Sequence, residues 1–287
     1  METGSTGIRF DFGSLYLGAP YNGSSRLRNS PDQNESFLTN RLTIFYRISS
    51  SPITLSLAVP YVTRKSHEPS SDIVSAQTFE SNGIGDLVAQ VRYIEKQYID
   101  ESMVAYSVGV GAKLSTGRSD VKIASGEYLN PDLQPGTGTT DILITGSGFW
   151  SLDRTGLGAN ITAGIVTGRG APSSDGGYHK YGNYFNGELT ARYRIVPEEL
   201  SEANLSLTLG LGGETRAHET LGGSEIAASC GSIIYVAPGV KYILSTRISA
   251  DAVVQIPVYQ YLFSDPVNSE YQLGESYRFI AGIQYSL

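Results

Sequence analysis

The sequence predicts an all-β fold: a single domain over residues 1–287 forming a twelve-stranded antiparallel up-and-down transmembrane β-barrel. Three observations predict it. Apolar residues alternate with small or polar ones in segment after segment, which is the strand period rather than the helical one. The connections between segments alternate short and long, as in outer-membrane barrels. Charged residues are only 17% of the chain, beside 19 Tyr and 33 Gly, whereas disorder requires high charge and few aromatics.

The segments lie near residues 8–17, 36–48, 53–63, 84–95, 103–115, 139–151, 157–167, 184–196, 204–214, 232–243, 247–259 and 276–287. In the first, Arg9 and Asp11 fall on the polar face; in the second, Arg41 and Arg47, with Tyr46 at its end. The third ends at Tyr61, and the fourth runs from Asp86 to Tyr93 with Arg92 on the polar face. The fifth sets Val104, Tyr106, Val108 and Val110 against Ser107, Gly109, Gly111 and Lys113. The sixth carries Asp141 and ends near Trp150; the seventh sets Leu157 to Ile165 against Gly158, Asn160, Thr162 and Gly164. The eighth contributes Glu188, Arg192 and Arg194, and the ninth opposes Leu205, Leu207, Leu209 and Leu211 to Ser206, Thr208 and Gly210. Lys241 and Tyr242 belong to the tenth. The eleventh turns Ile248, Ala250, Ala252 and Val254 away from Arg247, Ser249 and Asp251, and the last turns Tyr277, Phe279, Ile283 and Tyr285 away from Arg278 and Gln284.

The short connections are 49–52, 96–102, 152–156, 197–202 and 244–246; the long ones, such as 18–35, 64–83 and 116–138, are rich in Gly, Ser, Asn, Asp and Pro. Short turns belong on the periplasmic side, so both termini are expected there and the expected location is the bacterial outer membrane. A soluble all-β protein would instead put its apolar face inward and charges outward. Here the polar face is Gly-, Ser- and Thr-rich and Tyr and Trp gather at segment ends, as lipid-interface girdles require.

Several classes are excluded. A net charge of −7 and a pI near 5.1 argue against nucleic acid as a partner. A lone Cys230 forms no intrachain disulfide and no Cys-rich metal centre. No apolar run approaches the ~18 residues of a membrane-spanning helix. The first seven residues carry neither a basic n-region nor an apolar h-region, so they are not a secretion signal. They suit either a cytosolic protein or a processed sequence with an added Met1. No metal and no cofactor are expected.

The expected pore-lining residues are Arg41, Arg47, Asp86, Arg92, Lys113, Asp141, Glu188, Arg192, Arg194, Arg247, Asp251 and Arg278, with Arg9, Asp11, Glu214, Arg216 and Lys241 on the same face. Basic groups outnumber acidic ones in this set, so the acidic surplus is assigned to loops and turns, including Asp32, Glu35, Glu68, Asp72, Glu80, Glu198, Glu199 and Glu202. A wet lumen of this sign favours anionic or polar solutes, while charges inside a barrel must also find partners across it.

Two Gly-rich motifs open strands after long loops: Gly83-Ile84-Gly85-Asp86 and Pro135-Gly136-Thr137-Gly138-Thr139-Thr140-Asp141. Glycine allows close backbone approach where a loop folds into the wall, and no helix follows to make a phosphate loop. These motifs, the strand Asp86 to Tyr93 and the closing stretch Tyr277 to Leu287 resemble the outer-membrane channel family named after the MetA pathway of phenol degradation. The resemblance implies a twelve-stranded barrel admitting small, often hydrophobic or aromatic, organic molecules. It also implies strand-entry and lumen roles for Gly83, Gly85, Asp86, Pro135, Gly136, Gly138 and Asp141. Such barrels commonly end in Phe, and this sequence ends in Leu287.

The expected function is passive diffusion of small organic molecules through a monomer in the outer membrane, with lipid, lipopolysaccharide and solute as partners and no enzymatic step. The alternative is a barrel hydrolase with a site in the extracellular loops, where His67, His179 and His218 lie. The stretch Gly177-Tyr-His-Lys-Tyr-Gly-Asn183 lacks the Ser near His that an outer-membrane phospholipase requires, and no local spacing suggests a triad.

Overall fold

The structure, a computed structural model, describes residues 6–27, 33–49, 51–69, 76–196, 203–268 and 270–287. Twelve long strands form the wall. They are β1 Gly7–Asn22, β2 Asn34–Arg47, β3 Ile53–Glu68, β4 Leu87–Ile99, β5 Ser102–Leu114 and β6 Thr140–Leu152, followed by β7 Thr155–Thr167, β8 Tyr184–Val196, β9 Asn204–Arg216, β10 Gly231–Ile243, β11 Ile248–Leu262 and β12 Gln272–Ser286. Each pairs antiparallel with its sequence neighbours, and β12 pairs with β1 from Gly7↔Ser286 to Tyr21↔Gln272, closing the sheet. Closure gives every wall strand two partners, which is what lets a sheet stand in lipid. Ser25–Arg26 forms a small hairpin on β1, and Gln77–Ile84 descends beside β3 before a break at Gly85-Asp86 leads into β4.

All twelve predicted segments are wall strands, but several run further than their alternation. β1 reaches Asn22 and β3 reaches Glu68. Above the lipid band both faces of a strand meet polar surroundings, so the alternation fades while backbone pairing continues. The predicted turns 96–102 and 152–156 tighten to two residues each, because Lys96–Ile99 and Leu152 are still paired. Asp100 and Asp153 begin these turns at φ 50 and 48, a left-handed conformation that Asp tolerates. The connection 197–202 lies outside the described residues, as do Asp32, Asp72, Glu198, Glu199 and Glu202.

The wall's outer face is apolar: Leu189 is 64% exposed, Val110 60% and Leu209 59%. In water, so continuous an apolar surface would aggregate; in lipid it is the stable choice. Following the strand pairings and allowing for tilt, Tyr46, Tyr93, Tyr106, Trp150, Tyr193, Tyr242 and Tyr285 come to one level at the short-turn end. Tyr16, Tyr61, Phe185 and Tyr277 mark the opposite border, where Tyr16 stacks on Tyr277 at 6.0 Å. These two belts bound the membrane span, and the barrel is an outer-membrane one with long loops outside and both ends of the described chain at the short-turn side.

Leu209 faces lipid near mid-span, with Thr208 facing the lumen. Leu209→Arg is expected to cost roughly 2–4 kcal/mol of folding free energy in lipid vesicles, and Thr208→Arg markedly less. Urea titrations followed by Trp150 fluorescence check this; equal costs would contradict the assigned faces.

Candidate functional site

The lumen is built from the alternate residues of the same strands. At the level of the lower aromatic belt it is basic. Arg92, Arg192, Arg194 and Lys241 point inward there, with Lys96 and Arg47 below them. The Arg192 guanidinium lies 4.7 Å from the centroid of the Phe149 ring, and Arg194 meets Asp153 of the turn at 3.4 Å. Just above, where β1 closes on β12, Arg9 donates twice to Asp251 (2.8 and 2.9 Å) and once to Asp11 (2.6 Å), which also accepts from Arg41 at 2.9 Å. This cluster ties β1, β2 and β11 together across the lumen face of the seam. At mid-height Glu188 accepts from Thr190 (2.9 Å) and Gln255 (3.3 Å).

The upper lumen is acidic and partly filled by a loop. Residues 115–139 fold into the barrel mouth and bury Leu129, Leu133 and Gln134. The Gln134 side chain braces that loop, donating to the Leu129 and Val121 carbonyls and accepting from the Val121 amide. Asn130 caps the 3-10 turn Pro131–Leu133, and Arg64 on β3 donates to the Asp132 carbonyl at 2.9 Å. Ser81 donates to the Leu133 carbonyl.

Both Gly-rich motifs meet at the root of this loop. Asp86 accepts from the amides of Gly117 (3.0 Å) and Thr137 (2.9 Å) and from the Thr137 hydroxyl (2.7 Å). Lys113 joins the motifs: its ammonium lies 2.7 Å from Asp141 and 4.0 Å from Asp86. Asp141 is 1% exposed, so the pair is desolvated and each charge depends on the other. The glycines are needed for contact: a Cβ on Gly136 would lie 2.4 Å from the Gly117 carbonyl oxygen, and Gly138 adopts φ +69 against the backbone of Gly170.

Between loop and wall lies a cavity of about 490 Å³. Phe37, Tyr184, Tyr271 and Leu273 supply apolar surface, while Arg64, Glu35 and the pairs Arg278–Glu275 (2.5 Å) and Arg278–Glu214 (3.4 Å) supply charge. Tyr181, from the loop before β8, closes one side; burial, reinforced by Asp132, pushes its phenol well above the usual range, so it is neutral.

The predicted positions thus fall into three groups. Arg41, Arg92, Glu188, Arg192, Arg194, Asp251 and Arg278 sit on the inner face, and Lys113, Asp86 and Asp141 form the loop anchor rather than open wall. Arg47 is at the periplasmic rim, donating to the Ser51 carbonyl at 3.1 Å. Arg247 is corrected: it lies exposed in the turn before β11, because strand pairing starts one residue later at Ile248↔Tyr285. The assignment of the acidic surplus to loops and turns is corrected in part. Glu35, assigned to a loop, is inside β2 facing the cavity, and Glu275 and Asp132 were not foreseen as lumen groups. Extending the parity of Arg41 and Phe37 back to position 35 would have found the first of these.

The histidines have structural partners. His67 contacts the Thr78 hydroxyl at 3.1 Å, and His179 pairs with Glu219 at 2.8 Å, linking two extracellular loops. His218 Nε2 lies 3.2 Å from Cys230 Sγ, with its Nδ1 against the Ile226 carbonyl. Local spacing did not reveal this contact. Burial pushes the Cys230 thiol up, away from the thiolate that a nucleophile requires.

No protein-family model and no curated protein matches the sequence. Solved structures do match. The COG4313 outer membrane channel from Pseudomonas putida F1 is 12% identical with a TM-score of 0.69, over 99% of this chain and 96% of that one. The transport unit of the autotransporter AIDA-I from Escherichia coli is 12% identical, TM-score 0.53, covering 100% and 91%. The beta domain of the Bordetella autotransporter BrkA is 12% identical, TM-score 0.52, covering 99% and 100%. At these identities the likeness is one of fold. One fold serves a channel and two autotransporter domains, so function has to be argued from the lumen.

Lys113→Met leaves Asp141 buried without its cation and is expected to destabilise the protein by about 3–5 kcal/mol. Adding Asp141→Asn recovers much of that loss. Chemical unfolding of the two variants in vesicles tests the coupling; additive effects would refute it.

Proposed function

We propose that this protein is a passive, monomeric diffusion channel of the outer membrane, admitting small organic molecules, aromatic and hydrophobic ones among them. The cavity of about 490 Å³ at the mouth carries the reading. Its volume is in the ~300–1,000 Å³ range of small-molecule sites. Its lining offers rings and aliphatic groups to an apolar body and charged groups to a polar substituent. The lower lumen supports the same reading, because its inward side chains are charged and keep the interior wet. The motifs' resemblance to the phenol-pathway channels favours aromatic solutes.

The partners in this reading are the bilayer, with lipopolysaccharide in its outer leaflet, and the solute. No cofactor and no catalytic step enter it. A loop-site hydrolase would need an activated nucleophile, and burial pushes the Cys230 thiol beside His218 up, away from the thiolate.

Planar bilayers containing the purified protein are expected to show discrete current steps, and proteoliposomes to swell in phenyl glucoside, a polar aromatic solute that crosses lipid slowly. Folded protein giving neither current nor swelling would overturn the channel reading.

A further inference from the structure

We infer that the inner wall of β12, β1, β2 and β3, just below the mouth cavity, holds a binding groove for small apolar acids: a carboxylate carried on a ring or a short hydrocarbon body. The inference rests on the channel reading and deepens it by naming a site in the wall and the charge of the solute it takes.

Strand register lays the groove out. Val62, Thr39, Gly13 and Ile280 form one row across the four strands, with Phe37 and Leu15 directly above its centre and Arg41 and Asp11 directly below. The row is hollow in the middle, because Gly13 has no side chain and Thr39 a short one between the larger Val62 and Ile280. A Cβ on Gly13 would meet nothing nearer than the Thr39 carbonyl oxygen at 3.8 Å, so no protein atom fills the space over it. The hollow measures about 320 Å³, within the ~300–1,000 Å³ range of small-molecule sites. Phe37 and Leu15 line both this groove and the mouth cavity, so the two are neighbours along the path of a solute.

The charges at the rim set the sign of the solute. Among the described residues Asp11 is the one carboxylate that lines the groove, and both its oxygens are taken: Arg9 donates to one at 2.6 Å and Arg41 to the other at 2.9 Å. Arg41, Arg64 and Arg278 also line it. Arg278 is held on the mouth side by Glu275 and Glu214, and Arg64 lies 5.2 Å from the centroid of the Phe37 ring while donating to the Asp132 carbonyl. Arg41 differs from both. It spends Nε and Nη2 on Asp11, its side chain is half-exposed, and its Nη1 has no partner among the described residues. A carboxylate set against that edge gains a charge-assisted hydrogen bond without displacing one already made, while Phe37, Leu15, Val62 and Ile280 take its hydrocarbon part out of water. An ammonium in the same place meets a guanidinium and finds no open carboxylate. Glu35, the nearest acid up β2, lies beyond Phe37, where it accepts from Ser66 and faces the mouth cavity.

Titration calorimetry on the full chain in lipid nanodiscs tests the site, with benzoate, benzamide, acetate and benzylamine as probes. Benzoate is expected to bind roughly tenfold or more tightly than benzamide, the worth of a hydrogen bond to a charged group, and to outbind acetate and benzylamine as well. Gly13→Leu, which fills the hollow, is expected to abolish the advantage of benzoate over acetate, and Arg41→Gln to bring benzoate down to benzamide. In planar bilayers at constant ionic strength, benzoate is expected to lower the wild-type ion current over the concentration range in which it binds. Benzamide, acetate or benzylamine binding as tightly as benzoate, or Gly13→Leu binding benzoate unimpaired, would overturn the groove. Ion current without benzoate binding overturns the groove and leaves the channel; benzoate binding in the expected order without any current supports the groove and overturns the channel. The wild-type order of the four probes decides the matter even where a variant fails to fold.

Discussion

Closure of the sheet is the constraint on which everything else depends. In hydrocarbon no water satisfies a free amide or carbonyl, so the pairing of β1 with β12 has to complete the ladder. Once closed, each strand has one face in lipid and one in the lumen, and every residue of the span is sorted by parity. The seam itself is reinforced from inside, where Arg9 and Asp11 on β1 engage Asp251 on β11 and Arg41 on β2. The strands on either side of the seam are thus also joined by ion pairs on the lumen side.

A lumen lined by charge needs those charges compensated, and the protein uses two devices. One is pairing within the wall. The other is the inserted loop, whose backbone amides satisfy Asp86 while Lys113 holds Asp141. The small size of Gly117 and Gly136 brings the loop's two arms into backbone contact. The loop also reduces the mouth to a cavity of molecular size, so one structure both neutralises the anchor and shapes the entrance.

The fold was legible because its signal is periodic and repeated: Leu205 to Leu211 and Val104 to Val110 each declare a face, and short turns declare a side. The aromatic belt was legible in part, with Tyr46, Trp150 and Tyr285 visible at segment ends. Parity was equally readable for Arg41 or Arg192. What sequence could not supply was height, because the level of a residue depends on the register between neighbouring strands and on tilt. Nor could it show that loop 115–139 turns inward, since Asn130-Pro131-Asp132 reads equally as a surface turn. The His218–Cys230 contact joins residues brought together by loop folding and has no local pattern.

Height decides which charges interact. Summed over the inner face, basic residues exceed acidic ones, and the sum implies a pore for anions. A permeating molecule does not experience a sum; it meets one level at a time, within a few ångströms of the wall. Glu35 and Arg92 lie at opposite ends of the span, too far apart to cancel at ordinary salt, where the Debye length is about 8 Å. Lys113 and Asp141 at 2.7 Å do cancel. Which charges meet one another therefore follows from the register of twelve strands, and composition alone does not supply it.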